Sequence, residues 1–148
     1  MSIILEKQNG EWYDAQPRKG GVYDLVYAAM SGTDGADRLR AVVALGRSED
    51  PRAVRPLADL LADADPEIRL LAATALGQLK SGRPVEDLIG RLRDNNERMV
   101  TREQAAVALS AIRSTGAIQG LREFVADESE DPALRSYTEN LLKPISPV

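Results

Sequence analysis

Enzymatic chemistry is carried most often by histidine, by cysteine and by paired carboxylates, and the first two are absent from this sequence. Its 148 residues include no histidine and no cysteine. No Ser-His-Asp or Cys-His nucleophile pair, thiolate or imidazole metal site, iron–sulfur cluster or disulfide can therefore be assembled from it. The ionisable side chains that remain are 23 acids, 19 bases and 4 tyrosines. Two carboxylates can act as general acid and base when a cleft holds them apart and burial raises the pKa of one, and no spacing here singles out such a pair. The densest acidic stretch, Asp127-Glu128-Ser129-Glu130-Asp131, offers the oxygen donors that calcium takes. It lacks the turn glycine and the bidentate glutamate of a calcium loop, and Asp131 before Pro132 reads as a helix cap, so a solvated loop is expected. Gly20-Gly21, Gly32 and Gly35 read as loop glycines; none follows a strand and opens a helix with a lysine, as phosphate binding requires. Lys19-Gly20-Gly21 ahead of the first helix reads as a simple turn. The sequence nominates no catalytic residue, no metal ligand and no cofactor.

The net charge of −4 has the wrong sign for a nucleic-acid footprint. The longest apolar run near the N-terminus is Ile3-Ile4-Leu5, far short of the roughly 18 apolar residues of a membrane span, and no basic region with a cleavage site precedes it. No membrane or nucleic-acid partner is expected, and a cytoplasmic location is the default. With 43% hydrophobic and 28% charged residues, the chain reads as one soluble globular unit.

The elements that must position any functional side chain are legible as repeats. Leu45, Leu76, Leu109 and Leu142 recur at intervals of 31, 33 and 33 residues, and the same shift superposes Arg38, Arg69, Arg102 and Arg135, and also Ala41, Ala72 and Ala105. A second series aligns Val22, Val54, Val85 and Ile118, with Leu25, Leu57, Leu88 and Leu121 three residues later and Ala29, Leu61, Leu92 and Val125 four after that. This is helical spacing. The two series alternate, giving an A helix, a turn and an Ala-rich B helix in each unit. Eight helices are predicted near 22–31, 36–46, 52–63, 67–79, 84–94, 99–113, 117–127 and 132–142. Asp50-Pro51, Asp65-Pro66 and Asp131-Pro132 place a capping carboxylate beside a proline suited to the first helical turn. Small residues on the B helices let stacked helix axes approach closely, so a large side chain at Ala75 should overpack the layer at a cost of about 1–3 kcal/mol.

Residues 1–20 read differently. Ile3–Gln8 and Glu11–Asp14 are short extended runs around Asn9-Gly10, a strong hairpin signal, and four of the six aromatics (Trp12, Tyr13, Tyr23 and Tyr27) lie in the first 27 residues. A β-hairpin that folds over the first helix and caps the end of the array is predicted, with an aromatic ligand site as the alternative. The expected organisation is a hairpin cap at 1–20 and a repeat domain at 21–148, with repeats near 22–46, 52–79, 84–113 and 117–142.

The segment Asp65-Pro66-Glu67-Ile68-Arg69-Leu70-Leu71-Ala72-Ala73-Thr74-Ala75-Leu76-Gly77-Gln78-Leu79 resembles the HEAT repeat, particularly the HEAT-like repeats named for the phycobilisome lyase proteins. The resemblance covers residues 22–142. It implies an all-α, right-handed α-solenoid of about four helical pairs. The outer units depart from the pattern: Asp37 stands where an apolar residue precedes the arginine, and Thr138 and Glu139 replace alanines, as terminal repeats do. The resemblance also implies a structural ladder in which Asp63, Asp94 and Asp127, ending A helices, meet Arg69, Arg102 and Arg135, beginning B helices six or eight residues later. An anion-binding arginine row is the alternative. Iron hydroxylases built on HEAT repeats use His-Glu motifs, which this chain lacks, and DNA-repair relatives use a basic face with aromatics, which its B helices do not supply.

The position after each ladder arginine, with those four and eight residues on, falls on one helix face. The row comprises Leu39, Val43 and Arg47, then Leu70, Thr74 and Gln78, then Glu103, Val107 and Ala111, then Ser136 and Asn140. In the family the resemblance points to, B helices line the concave side, where such a mixture of small, apolar and polar residues suits a partner's helix or extended segment. The alternative is that Leu39, Leu70 and Val107 pack between neighbouring B helices. A non-enzymatic adaptor binding a protein partner is the leading expectation. A subunit resembling bilin lyases, holding a tetrapyrrole non-covalently, is the second. Self-association through Leu134, Tyr137, Leu141, Leu142 and Ile145 is the third, so the chain is expected as a monomer or weak homo-oligomer.

Overall fold

A computed structural model describes the backbone of residues 5–8, 11–14 and 21–145, and the side chains from residue 21 to residue 145. Two strands, β1 (Leu5–Gln8) and β2 (Glu11–Asp14), pair antiparallel with Leu5 opposite Asp14 and Gln8 opposite Glu11. The Asn9-Gly10 turn between them lies outside the described residues, as do the side chains on which any covering of the first helix depends. The N-terminal cap expected from the sequence is therefore not supported by the described structure.

Eight α-helices follow among the described residues: α1 (Val22–Ser31), α2 (Gly35–Arg47), α3 (Val54–Leu60), α4 (Pro66–Leu79), α5 (Val85–Leu92), α6 (Met99–Ile112), α7 (Thr115–Ala126) and α8 (Pro132–Leu142). They sit within a few residues of the predicted spans. The third differs most. It opens as a 3-10 turn at Pro51–Ala53 and closes at Leu60, where the amides of Leu61, Ala62 and Asp63 bond three residues back and tighten the chain. The aspartates before proline cap as expected: Asp50 accepts from the Arg52 amide, Asp65 from Glu67 and Asp131 from Leu134, each at 2.9 Å. Helices α4 and α6 end on Lys80 and Arg113 in the left-handed region, at φ 56° and 58°, a conformation glycine adopts more easily.

Each odd-numbered helix packs on the even one that follows it, and the even helices form a continuous layer, α2 on α4 on α6 on α8. The two leucine series fill the space between the layers. Leu45, Leu76 and Leu109 from the B helices and Leu57, Leu88 and Leu121 from the A helices are fully buried, each contributing about 1.5–3 kcal/mol of transfer free energy. Glycine governs how closely the B helices approach. A Cβ at Gly46 would lie 2.7 Å from the Cβ of Ala75, and one at Gly77 would lie 3.0 Å from the Cα of Ala108. No helix of the described residues is long and apolar enough to cross a membrane.

Candidate protein-interaction surface

The B-helix row lies beside the core and outside it. Along each B helix the buried positions are those of the alanine and leucine series, such as Ala72 and Leu76 on α4 or Ala105 and Leu109 on α6. None of the eleven row residues is buried. Arg47, Gln78, Ser136 and Asn140 are exposed, and Leu39, Val43, Leu70, Thr74, Glu103, Val107 and Ala111 are half-buried. Leu39 also packs on the core. Thr74 does more than line the surface: its hydroxyl lies 3.1 Å from the carbonyl of Leu70 and 3.2 Å from the side-chain amide oxygen of Gln104, bridging α4 to α6. A cleft of about 820 Å³ at the first repeat takes in Leu39, Val43 and Arg47 together with Val22 and Leu25 of α1.

The arginine ladder runs along the turns between A and B helices, with acids other than the expected ones. Arg38 donates its Nε to the carbonyl of Ala29 at 2.9 Å, and Arg102 and Arg135 do the same to Leu92 at 2.8 Å and Val125 at 2.9 Å. Arg69 donates instead through a terminal nitrogen to the carbonyl of Asp63 at 2.8 Å. Each of these carbonyls lies near the end of the arginine's own A helix, where helical acceptors go unpaired. The guanidinium groups also reach the next repeat: Arg38 to Asp63 at 2.7 Å and Arg102 to Glu130 at 3.0 Å through a terminal nitrogen, and Arg69 to Glu97 at 2.7 Å through Nε. Asp63 thus pairs its carboxylate with Arg38, not Arg69. Asp94 and Asp127 do not meet Arg102 and Arg135; they pair with Arg91 at 3.4 Å and Arg93 at 3.0 Å.

Loop length explains the substitution. Asp63, Asp94 and Asp127 share one local role, each accepting from the amide two residues on, that of Asp65, Asn96 or Ser129. The second and third of these loops carry two more residues before the helix cap, and the extra length inserts a glutamate immediately before it, at 97 and 130. That glutamate takes the arginine. The signal was present in the sequence as the change of repeat interval from 31 to 33 residues.

The electrostatics follow the pairing. Burial opposes the charge on Glu97, yet the hydrogen bonds from Arg69, the Arg98 amide and Arg91 outweigh it and hold the carboxyl below its ordinary value. Asp63 is likewise lowered: burial raises it, and Arg38 and the Asp65 amide more than compensate. Asp127 is lowered to about 2 by the Ser129 hydroxyl, by Arg93 and by the Ser129 amide. Asp127, Glu130 and Asp131 are therefore committed to turn, ladder and cap contacts, and Glu128 is exposed. Among the described residues no group of acids is arranged to hold a metal ion. The tips of Arg38, Arg69 and Arg102 are occupied by carboxylates, which disfavours an anion-binding row. The self-association set divides: Leu134 and Leu142 belong to the core, while Tyr137 is exposed and Leu141 and Ile145 are half-buried.

No curated protein sequence matches this chain. Among solved structures, human deoxyhypusine hydroxylase in complex with glycerol is similar at 26% identity and a TM-score of 0.73, over 88% of this chain and 45% of that one. The complex of CpcE and CpcF of phycocyanin lyase from Nostoc sp. PCC7120 is similar at 22% identity and a TM-score of 0.66, over 87% of this chain and 54% of that one. The chain thus spans about half the length of these structural relatives. A model of HEAT repeats matches residues 23–103 and 61–141, the four helical pairs described above, and the chain belongs to the HEAT-repeat family.

Proposed function

We propose that the chain is a non-enzymatic protein–protein interaction module, a cytoplasmic adaptor whose right-handed array presents the B-helix row to a partner peptide or domain. The observation that carries this reading is that all eleven row residues, spread over four consecutive B helices, remain at least partly accessible while the alanine and leucine series of the same helices are buried. A continuous accessible face of small, apolar and polar side chains suits recognition of an extended or helical segment, and an open repeat array lacks the water-excluding pocket that a reaction prefers. The absence of histidine and cysteine from the sequence supports the same reading.

The test is capture of partners from source-cell lysate by the wild type and by a Val43→Lys, Gln78→Lys, Val107→Lys variant. Lysine can extend its charge into water from the half-buried positions, and circular dichroism checks the fold first. Thr74 is left intact because its hydroxyl joins two repeats. A partner held by the wild type and lost by the folded variant supports the reading, and identical partner sets contradict it.

The resemblance of the repeats to those named for the phycobilisome lyase proteins motivates a second reading, non-covalent holding of a tetrapyrrole, which the likeness to the CpcE–CpcF complex does not by itself support. At 22% identity that likeness carries the fold alone. Titration with a free bilin, read by its visible absorption, decides it.

A further inference from the structure

One alanine position distinguishes α2 from the B helices behind it. Ala75 of α4 and Ala108 of α6 are buried, at 2% and 1% exposure, and each receives a glycine of the preceding B helix, Gly46 or Gly77. Ala44 is the corresponding residue of α2. No B helix precedes it among the described residues, and it is half-buried. The cleft of about 820 Å³ opens beside it, with Val22 and Leu25 of α1 and Leu39 and Val43 of α2 on its apolar walls.

Charge sets the same position apart. Arg40 and Arg47 stand one turn before and after Ala44, and both line the cleft. Where a B helix is received, the two positions hold Leu71 and Gln78 on α4, and Gln104 and Ala111 on α6, so the cations belong to α2. Arg47 is exposed and has no acidic partner among the described residues. Arg40 pairs with Asp37, but these side chains are 72% and 57% exposed, and a surface pair of this kind is worth less than about 1 kcal/mol, so Arg40 exchanges it readily. Asp50, the acid on the cleft wall, is already held by Arg52 at 2.7 Å and caps the turn at Pro51.

We propose that this cleft seats an acidic amphipathic helix of the protein partner, lying on α2 as α2 lies on α4. The array's own packing supplies the pattern. Gly77 lies against Ala108 while Thr74, three residues earlier, meets Gln104, which stands at the position of Arg40. Gly46 lies against Ala75 and beside Gln78, which stands at the position of Arg47. A helix docked in the same way sets a glycine or alanine over Ala44, a carboxylate three residues earlier at Arg40, and a carboxylate one turn later within reach of Arg47. Its apolar side chains cover Val22, Leu25 and Val43. A basic helix of the same shape is repelled by the two arginines. The last B helix of a second copy does not meet the requirement, because Lys143 stands where Gly46 and Gly77 do and would bring a bulky cation against Ala44 and Arg47. The inference rests on the adaptor reading and names the partner chemistry at the first-repeat end of the row, where Leu39, Val43 and Arg47 belong to both surfaces.

Two synthetic peptides of about 20 residues, each stapled as a helix, serve as probes. One carries glutamate three residues before and four after a central glycine, with leucines along the same face; its twin carries lysine at both charged positions. Each is titrated into the isotope-labelled full chain, and amide shifts in the NMR spectrum report affinity and place together. The acidic peptide is expected to bind several-fold more tightly than its twin and to shift amides of α1 and α2. The preference should vanish in Arg47→Glu and reverse in Arg40→Glu/Arg47→Glu, and Ala44→Gln should weaken the acidic peptide by filling its contact point. Arg47 is exposed, so its substitution keeps the test valid even if the Ala44 variant unfolds. No binding, equal binding of the twins, shifts centred outside α1 and α2, or a preference that Arg47→Glu leaves unchanged each overturn the proposal. The probes are synthetic, so these outcomes do not depend on lysate capture, and failure of the cleft proposal is seen separately from failure of the adaptor reading.

Discussion

The guanidinium of Arg69 and the carboxylate of Glu97 meet at 2.7 Å across 28 residues of sequence, and the Glu97 side chain is withdrawn completely from solvent. Arg91 reaches the same carboxylate at 3.3 Å, and the Arg98 amide donates to it at 2.9 Å. One acid in a turn thus joins the second repeat to the third. A carboxylate so placed is stable as an ion only while its donors are present.

Removing it should be costly. Glu97→Ala removes the carboxylate that Arg69 and Arg91 share and is expected to destabilise the fold by about 3 kcal/mol. Glu67 is the control: it receives Arg98 at 2.9 Å, but the two side chains are 53% and 40% exposed. Glu67→Ala should cost less than about 1 kcal/mol. Urea unfolding of the two variants beside the wild type measures both, and equal midpoint shifts would contradict the ladder's role.

The same carboxylate sets the acid limb of stability. A group whose native pKa lies below its unfolded value stabilises the fold above that unfolded value and loses the contribution as pH falls through the native one. Glu97 and Asp63 are both of this kind. With no histidine in the chain, stability should be nearly flat around neutrality and should decline below about pH 5. Glu97→Gln keeps the shape and removes the titration, so its urea midpoint should start lower and fall less steeply between about pH 5 and pH 3.

Glycine-to-alanine changes separate close packing from helix propensity. Gly90 of α5 has open space where a Cβ would go, so Gly90→Ala should stabilise by about 0.5–1 kcal/mol. Gly46→Ala meets both the Cα and the Cβ of Ala75 below 3 Å and should destabilise by about 1–3 kcal/mol despite the gain in propensity. Gly77→Ala, whose nearest contact is 3.0 Å, should fall between them. Thermal unfolding of the three variants gives the order directly.

Thr101 is fully buried and its hydroxyl has no hydrogen-bond partner. The repeat register places it at the position of Ile68 and Leu134, both core residues. Thr101→Val preserves the shape, removes the unmet polar group and should stabilise by about 1 kcal/mol. Thr138 is the comparison, because its hydroxyl donates to the Leu134 carbonyl at 2.8 Å. Thr138→Val should not stabilise, and a chemical-denaturation pair distinguishes the two sites.

The sequence made the array legible because each leucine of the two series does the same work in every unit, so Leu45, Leu76 and Leu109 could be superposed before any packing was known. The B-helix row was legible as a periodicity, but its exposure was not, since Val43 and Val107 carry the same residue type that a core position would. The ladder's acids were misassigned for a different reason. Asp63, Asp94 and Asp127 share a turn geometry, and only the spacing of the loops determines that a neighbouring glutamate lies closer to the arginine. Thr101 was missed because a threonine at an apolar position is visible only once the repeats are in register with the burial of Ile68.

Photo-cross-linking from the B-helix row tests the interaction surface most directly. A photoreactive side chain replaces Gln78, which is exposed on α4, and in a second protein replaces Arg55, whose side chain is 82% exposed on the A helix α3. Irradiated in source cells, the Gln78 derivative is predicted to give a discrete cross-linked product with a protein partner, and the Arg55 derivative none. Equal products from both positions, or a product from Arg55 alone, would contradict the assignment of the partner surface to the B helices.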